Sequence, residues 1–411
     1  MSGDIRSRLE RLRRSGELQS AGTLEGKTGD RPPFFLFPGE ERETETDAGR
    51  CYYRELCFPL AGKHGNAYLN GLINCRGADL ALPGKNPALV EFSPGRSLFL
   101  DIETTGLSGG TGTWAFLIGM GWVENDIFRL RQYFLRHPRE EKAMLLHFTR
   151  RAAQFSDLVT FNGRAFDLPL IVTRQVLAGL PHTSPRLHLD LLPCSRRLWK
   201  ERLSSCSLRS LEEALLGLHR HGDIPGEEIP YVYFSYLRRG ETALLRDVFQ
   251  HNVLDILSMA TLLTRVARAA AGEDLEHPAD YYSLGKLCAE AGEMDKAVRC
   301  LQKTACNGDE RLTHLALLQL SMILKKQKQW DEAAKLWREL VGCLPYDLTP
   351  YIELAKYYEH QAGEYEAALS LTRQAVERTR RRFSAPATGE LSLPALQHRL
   401  ARLRRKLGEN I

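Results

Sequence analysis

Asp101 and Glu103 stand one residue apart at the end of the apolar run Ser97-Leu-Phe-Leu, immediately before Thr104-Thr-Gly106. In a strand, side chains i and i+2 share a face, so the two carboxylates point the same way. Like charges held that close repel unless a cation lies between them, and hard divalent ions such as Mg²⁺ are bound by a few carboxylates together with water and phosphate. An isolated Asp-x-Glu reads first as a solvated rim, so the question is whether further acids reach the same place. Asp167 closes Phe161-Asn-Gly-Arg-Ala-Phe-Asp167, and Asp255 follows His251 by four residues, which is the spacing of neighbours on one helical face. Around Asp255, Val248, Leu254, Ile256, Leu257, Leu262 and Leu263 mark a helix that is mostly buried. A charge on such a helix needs a partner, and a metal would supply one.

The elements that must position these residues are read from periodicity. The run from Ser97 to Glu103, followed by Thr-Thr-Gly, is a buried strand ending in a tight loop; Trp114–Val123 and Ile127–Leu135 are two more, joined by Glu124-Asn-Asp126, which implies an antiparallel meander. Pro138 and Glu140-Glu141 open a helix to about Phe155, with proline near its first position and acids in its first turn. Leu158–Phe161 is a short buried strand, and Leu170–Leu180 is helical. This βββαβα order predicts a mixed sheet with helices on its faces. His188, Asp190 and Trp199 fall in a less regular region, Ser207–Leu218 reads as a helix, and Asp223–Tyr236 reads as loop. The long helix runs from about Glu241 to Ala271.

The whole chain bounds the alternatives. At 411 residues it is long enough for two or three domains. A net charge of +5, from 56 basic and 51 acidic residues, permits an anionic partner without demanding one. Nine cysteines without a Cys-x-x-Cys pair suggest neither a disulfide framework nor a zinc site. No apolar stretch reaches membrane-spanning length, so no membrane partner and a cytoplasmic location are expected. The Gly-rich 109–112 loop lacks the Gly-Lys-Ser/Thr ending of a phosphate-binding P-loop and leads into a strand. Tyr231, Tyr233, Phe234 and Tyr236 could stack on bases or fill a core.

Residues 1–50 comprise a basic amphipathic helix to about residue 18 and then a flexible linker, and 51–95 form an extension packed on the next domain. The α/β domain spans 96–271. Beyond it, Leu284/Gly285, Leu320/Ser321 and Leu354/Ala355 recur at shifts of 36 and 34 residues, as do Ala297, Ala333 and Ala367. This pattern resembles the tetratricopeptide repeat, with three units over 279–382 and a concave surface suited to a protein partner. A basic helix within 383–411 would cap the array.

Taken together, Asp101-Ile-Glu103, Phe161-Asn-Gly-Arg-Ala-Phe-Asp167 and His251-Asn-Val-Leu-Asp255 resemble the three motifs of the DEDD, or DnaQ-like, 3′–5′ exonuclease superfamily. The nearest group is the YprB-like one, in which such a domain precedes tetratricopeptide repeats. The resemblance covers about 95–270, including the segments around Asp190 and Asp223-Ile-Pro-Gly. It implies an α/β ribonuclease H-like domain followed by an all-α repeat domain, acting on DNA or RNA. It also implies that Asp101, Glu103, Asp167 and Asp255 hold two Mg²⁺ or Mn²⁺ ions, that His251 orients or deprotonates the attacking water, and that Thr104, Thr105, Gly106, Leu107 and Asn162 meet the terminal nucleotide. The three-residue gap between His251 and Asp255 is that of the tyrosine subclass, which leaves His251 as base or as orienting group only. His188 and Asp190 either flank the site or merely close loops. Two other readings stay open: a scaffold that works through its repeats, and an endonuclease on structured substrates.

Overall fold

A computed structural model describes residues 39–106, 112–344, 347–380 and 389–409. The basic helix expected within residues 1–18, the greater part of the linker, and Leu107 with most of the Gly-rich loop lie outside the described residues. The chain divides into two compact units, one ending at Asp274 and the other beginning at Leu275.

The strands of the first unit are β1 (Glu40–Thr46), β2 (Gly49–Pro59), the short pair β3 (Lys63–His64) and β4 (Ala67–Tyr68), β5 (Ser97–Thr104), β6 (Ala115–Glu124), β7 (Ile127–Phe134), β8 (Asp157–Thr160) and β9 (Leu187–Asp190). Seven of them form one mixed sheet in the order β1-β2-β7-β6-β5-β8-β9. The β5-β6-β7 meander is antiparallel, β5 pairs with β8 and β8 with β9 in parallel, and β2 adds to the outer side of β7. Every residue of β5 up to Leu100 is buried, as its apolar run demands of a central strand.

Glycine sets how closely the long helix Leu245–Ala271 lies on this sheet. A Cβ on Gly121 of β6 would meet Ile256 Cγ2 of that helix at 2.7 Å and Phe128 of β7 at 2.6 Å. Because neighbours alternate along a strand, Ile118, Met120 and Trp122 take the opposite face. They join one buried cluster with Met144, Leu145 and Phe148 of the helix Glu141–Ala152. Helices thus cover the sheet as the βββαβα order requires.

Several segments depart from expectation. Glu40–Thr46, read as linker, is the edge strand β1, closed onto β2 by a tight turn in which Gly49 adopts φ +112°. Its Glu-Glu-Arg-Glu-Thr-Glu-Thr sequence has no apolar alternation because both its faces meet solvent, and backbone pairing holds it. Leu187–Asp190 is strand β9, and the helix Leu191–Trp199 follows directly, with Asp190 as its N-cap. Ile229–Arg239, read as loop, is a helix with proline in its first turn; aromatics outnumber its ordinary helix formers. Tyr233 and Tyr236 are buried, Tyr233 stacking on Phe116 with ring centroids 4.1 Å apart, whereas Tyr231 is exposed.

The second unit is helical: Pro278–Ala291, Met294–Asn307, Glu310–Lys326, Trp330–Leu340, Thr349–Tyr357, Tyr365–Arg380 and Leu393–Lys406. Consecutive helices pack on one another, and the recurring small residues sit where they meet. A Cβ on Gly285 would lie 2.9 Å from Leu301 and 3.2 Å from Cys300 of the next helix. Ser321 and Ala355, its counterparts by the repeat shift, are also buried. All nine cysteines are free. No helix of the described residues is long and apolar enough to cross a membrane.

Candidate active site

The parallel strands β5, β8 and β9 end at the same edge of the sheet. Side chains that leave the carboxyl ends of neighbouring parallel strands converge there, which makes that edge the usual ligand crevice of such sheets. β5 brings Asp101 and Glu103, β8 leads into Asn162–Asp167, and β9 ends in Asp190. The β5–β6 register shifts between Glu103 and Thr104, a bulge of the kind that re-aims side chains beside a site. Past it, Thr104 Oγ1 donates to the Gly106 carbonyl at 2.9 Å, and Thr105 Oγ1 accepts from the Trp114 amide at 2.9 Å. Both expected nucleotide-contacting hydroxyls therefore also hold the loop together.

Asp101 is fixed from the long helix. Asn252 Nδ2 donates to Asp101 Oδ2 at 2.8 Å, and Gln132 Nε2 donates to Asn252 Oδ1 at 2.7 Å. Gln132 in turn accepts at Oε1 from Arg54 Nε at 2.9 Å, its direct cross-strand partner. Asn252 and Gln132 are fully buried, so the relay runs through low dielectric, where each bond is stiff and costly to lose. Gly119 makes room for it: a Cβ there would stand 2.1 Å from Asn252 Oδ1.

Asp167 is the first residue of the helix Asp167–Leu177 and is buried. Two features of the preceding turn allow this. Asn162 adopts φ +65°, and a Cβ on Gly163 would come within 2.7 Å of Asp167 Oδ2. Asp190 braces the turn, its carboxylate accepting from the Asn162 amide at 2.8 Å, the Arg164 amide at 3.2 Å and the Leu192 amide at 3.1 Å. His188 Nε2 meets Thr160 Oγ1 at 2.8 Å, and burial lowers its pKa to about 4. Asp190 and His188 are thus the scaffold under Asp167.

At Asp255 the structure adds residues that the sequence reading left out. Arg220, in the loop after Gly217, donates from Nη2 to Asp255 Oδ1 at 2.5 Å and to Glu212, and from Nη1 to Asp223 Oδ2 at 3.2 Å. His251 Nδ1 faces the Asp223 oxygens at 2.9 and 3.0 Å, leaving Nε2 3.6 Å from Asp255 Oδ2. Behind Arg220, Ser258 donates to Glu212, and His64 Nε2 meets Ser258 Oγ at 2.7 Å. Glu212 opens a π-helical turn, a form frequent at functional positions.

The electrostatics tie the acids together. Burial, then the charges of Asp255, Glu103 and Asp167, push the Asp101 carboxyl well above its ordinary value. Burial, then Asp255 and Asp167, does the same to Glu103. Asp167 rises to about 7, through burial and the charges of Asp190 and Asp255, with a backbone hydrogen bond opposing. For His251, burial favours the neutral ring, but the Asp223 hydrogen bond and the Asp255 charge outweigh it, so its pKa is raised. A set of buried hard oxygens in mutual repulsion suits a hard divalent cation in kind. The acids are not drawn into a closed cage: among the described residues, no three His, Cys, Asp or Glu side chains group tightly enough to hold a metal ion as they stand. Two are otherwise engaged, Asp101 with Asn252 and Asp255 with Arg220.

The spacing of Asp-x-Glu and His-x-x-x-Asp is a local signal. Arg220 and Asp223 reach the site from a loop, Glu212 from a helical turn and Gln132 from strand β7, all far from the motifs in sequence; only the two opposite charges three residues apart, Arg220 and Asp223, could have pointed to any of them.

Comparison with known proteins agrees with this geometry. An RNase_H superfamily profile matches residues 98–267. The Bacillus subtilis (strain 168) protein named uncharacterized protein YprB is 33% identical over 369 residues, covering 87% of this chain and 86% of that protein.

Proposed function

From a chain that belongs to the same family as Bacillus subtilis YprB and carries an RNase_H superfamily domain, we propose a metal-dependent nuclease, a 3′–5′ exonuclease on single-stranded DNA or RNA. The observation that carries this reading is the convergence of Asp101, Glu103 and Asp167 at the carboxyl ends of parallel strands, with Asp255 of the long helix near enough for its charge to raise all three. Buried carboxylates that raise one another's pKa are costly unless a site uses them.

Asp101, Glu103, Asp167 and Asp255 would hold Mg²⁺ or Mn²⁺, which when bound would supply Lewis-acid charge at the scissile phosphate. The chain's own residues do the rest. Asn252 keeps Asp101 oriented. His251, braced at Nδ1 by Asp223, presents Nε2 and takes a proton from the attacking water. The new bond joins the water oxygen to phosphorus, and the phosphorus–O3′ bond breaks, so the last nucleotide leaves as a 5′-monophosphate. The terminal nucleotide lies against Thr104, Thr105, Gly106, Leu107 and Asn162. In the second unit, a tetratricopeptide-like array over 279–382 engages a protein partner; the recurrence of small buried residues at Gly285, Ser321 and Ala355 supports it.

Direction is tested with one single-stranded oligonucleotide labelled at either end. A 3′ label released at once as mononucleotide, with a 5′ label running down a ladder, supports the exonuclease. Internal fragments at the outset favour the endonuclease. Products that persist in EDTA contradict the metal requirement.

A further inference from the structure

The loop that carries Arg220 faces two ways. The Arg220 side chain is only 4% exposed and turns inward, held by the carboxylates of Asp255, Asp223 and Glu212. Its neighbours His219 and His221 are both exposed. Gly222, at φ +72°, turns the chain so that Asp223 comes back to His251. A planar guanidinium shared among three carboxylates fixes the backbone around it, so the two imidazoles are presented from a rigid segment. Between this loop and the long helix lies a cavity of about 540 Å³, within the range of sites that take a small organic unit. His219 and His221 line it from the loop and Gln250 from the helix, and Leu218 and Leu254 supply an apolar wall. Gln250 and Leu254 share a helical face, and each directly precedes a residue of the candidate centre, His251 and Asp255. Asp223 belongs to both places, lining the cavity and bonding to His251. The cavity therefore runs along the helix beside the acids.

We infer that this cavity takes one nucleotide of a bound single strand, upstream of the bond to be cut, with its base among His219, His221 and Leu254. The inference rests on the reading of the neighbouring centre as acting on nucleic acid: a strand whose last unit lies at the acids runs on past a wall of that centre, and this wall holds a cavity lined for it. Imidazole rings stack on base faces, leucine side chains pack against them, and a glutamine amide offers a donor and an acceptor to a base edge. A bare phosphate would leave Leu218 and Leu254 without a use. The acids of the lining do not repel a polyanion outright, because Asp223 is matched by Arg220 and His251, and Asp247 follows Arg246 in the chain. Stacking is tolerant of base identity, so the cavity holds the strand in place without selecting its sequence.

The test uses the full-length protein, first in EDTA so that binding is read without turnover. Diethyl pyrocarbonate modifies exposed imidazoles, and peptide mass spectrometry reads each histidine separately. A bound oligothymidylate protects His219 and His221 and leaves the exposed His182 and His398 as reactive as before, whereas thymidine 5′-monophosphate at the same concentration protects them less. The double variant His219→Ala with His221→Ala, shown to be folded by thermal unfolding, binds the oligonucleotide about 10-fold more weakly by fluorescence anisotropy. With Mn²⁺ restored, its preference in kcat/KM for the oligonucleotide over the p-nitrophenyl ester of thymidine 5′-monophosphate, which has no upstream strand, falls by about the same factor. A merely structural defect lowers both rates together and leaves that ratio unmoved. No protection, equal protection by the mononucleotide, or an unmoved affinity or ratio overturns the inference and leaves the nuclease reading intact. Protection and weakened binding in a protein that cuts neither substrate overturns the nuclease reading and keeps the cavity as a strand-binding site.

Discussion

Asn252 carries the most structural responsibility at the site for a residue with no charge of its own. It links Asp101 to Gln132 through two hydrogen bonds inside the sheet–helix seam. Asn252→Ala leaves the buried Gln132 and the half-buried Asp101 each with a bond unmade, which costs about 1–3 kcal/mol of stability and, through a misaligned Asp101, about 10–100-fold in activity. Urea unfolding and initial rates check the two separately, and a variant that loses stability alone would show that Asp101 is oriented by something else. Asp223→Asn removes the charge that holds His251 and raises its pKa. Steady-state kinetics should show kcat falling about 10–100-fold with KM little changed, since Asp223 acts on the proton acceptor rather than on substrate binding. The four acids were legible from sequence because each belongs to a short motif with a strand or helix period. Arg220 was not, because Asp255 lies 35 residues away in sequence, and Asp223 entered only within a segment that the resemblance covers, with no role, because no periodicity connects it to His251, 28 residues on.

The elements that mattered most to the site were the most readable. β5 announces itself by an apolar run that ends in carboxylates, and the long helix by its unbroken apolar face. What escaped was short, polar or aromatic. β9 has only four residues, and β1 has no apolar alternation, being paired by backbone and by surface ion pairs such as Arg136–Glu43. Ile229–Arg239 places its proline and tyrosines where a reader of propensity sees loop, although proline in a first turn is a helix start. The seam between β6 and the long helix sets the precision of the site. Gly119→Ala puts a methyl where Asn252 Oδ1 now lies, and overpacking of this kind costs about 1–3 kcal/mol. Because the displaced atom belongs to the Asp101 relay, activity should fall more than stability predicts. Gly226→Ala, with nothing within 4 Å of its new Cβ, serves as control, and equal losses in the two variants would remove the seam from the account.

On the scale of the whole molecule, the two units are held together internally by different means. The first rests on a sheet buried under helices; the second closes on its C-terminal helix through Glu359, a buried carboxylate that accepts from Arg399, Arg402 and Lys406. Burial alone would raise its pKa, but these hydrogen bonds and charges win and lower it from 4.5 to about 2. A depressed folded value means stability that is complete above the unfolded value and drains away as pH falls through the folded one. Hydrogen exchange on the full-length protein should therefore show the helix Leu393–Lys406 loosening between about pH 4.5 and 2, and Glu359→Gln should already be loosened at neutral pH; a pH-independent helix would show that the carboxylate is incidental. The division into an α/β unit and a helical unit was legible from the change of texture near residue 272, and the small-residue recurrence has its physical reason in close helix contacts. The central claim is that Asp101, Glu103, Asp167 and Asp255 act as one metal-dependent hydrolytic centre, and the most direct measurement is digestion of a 5′-labelled single-stranded oligonucleotide in Mg²⁺ or Mn²⁺ by wild type beside Asp101→Ala and Asp167→Ala, each shown to be folded by circular dichroism. The account predicts a ladder of shortened 3′ ends that vanishes with either variant; a ladder that survives both, or a folded wild type that cuts nothing with either metal, would contradict it.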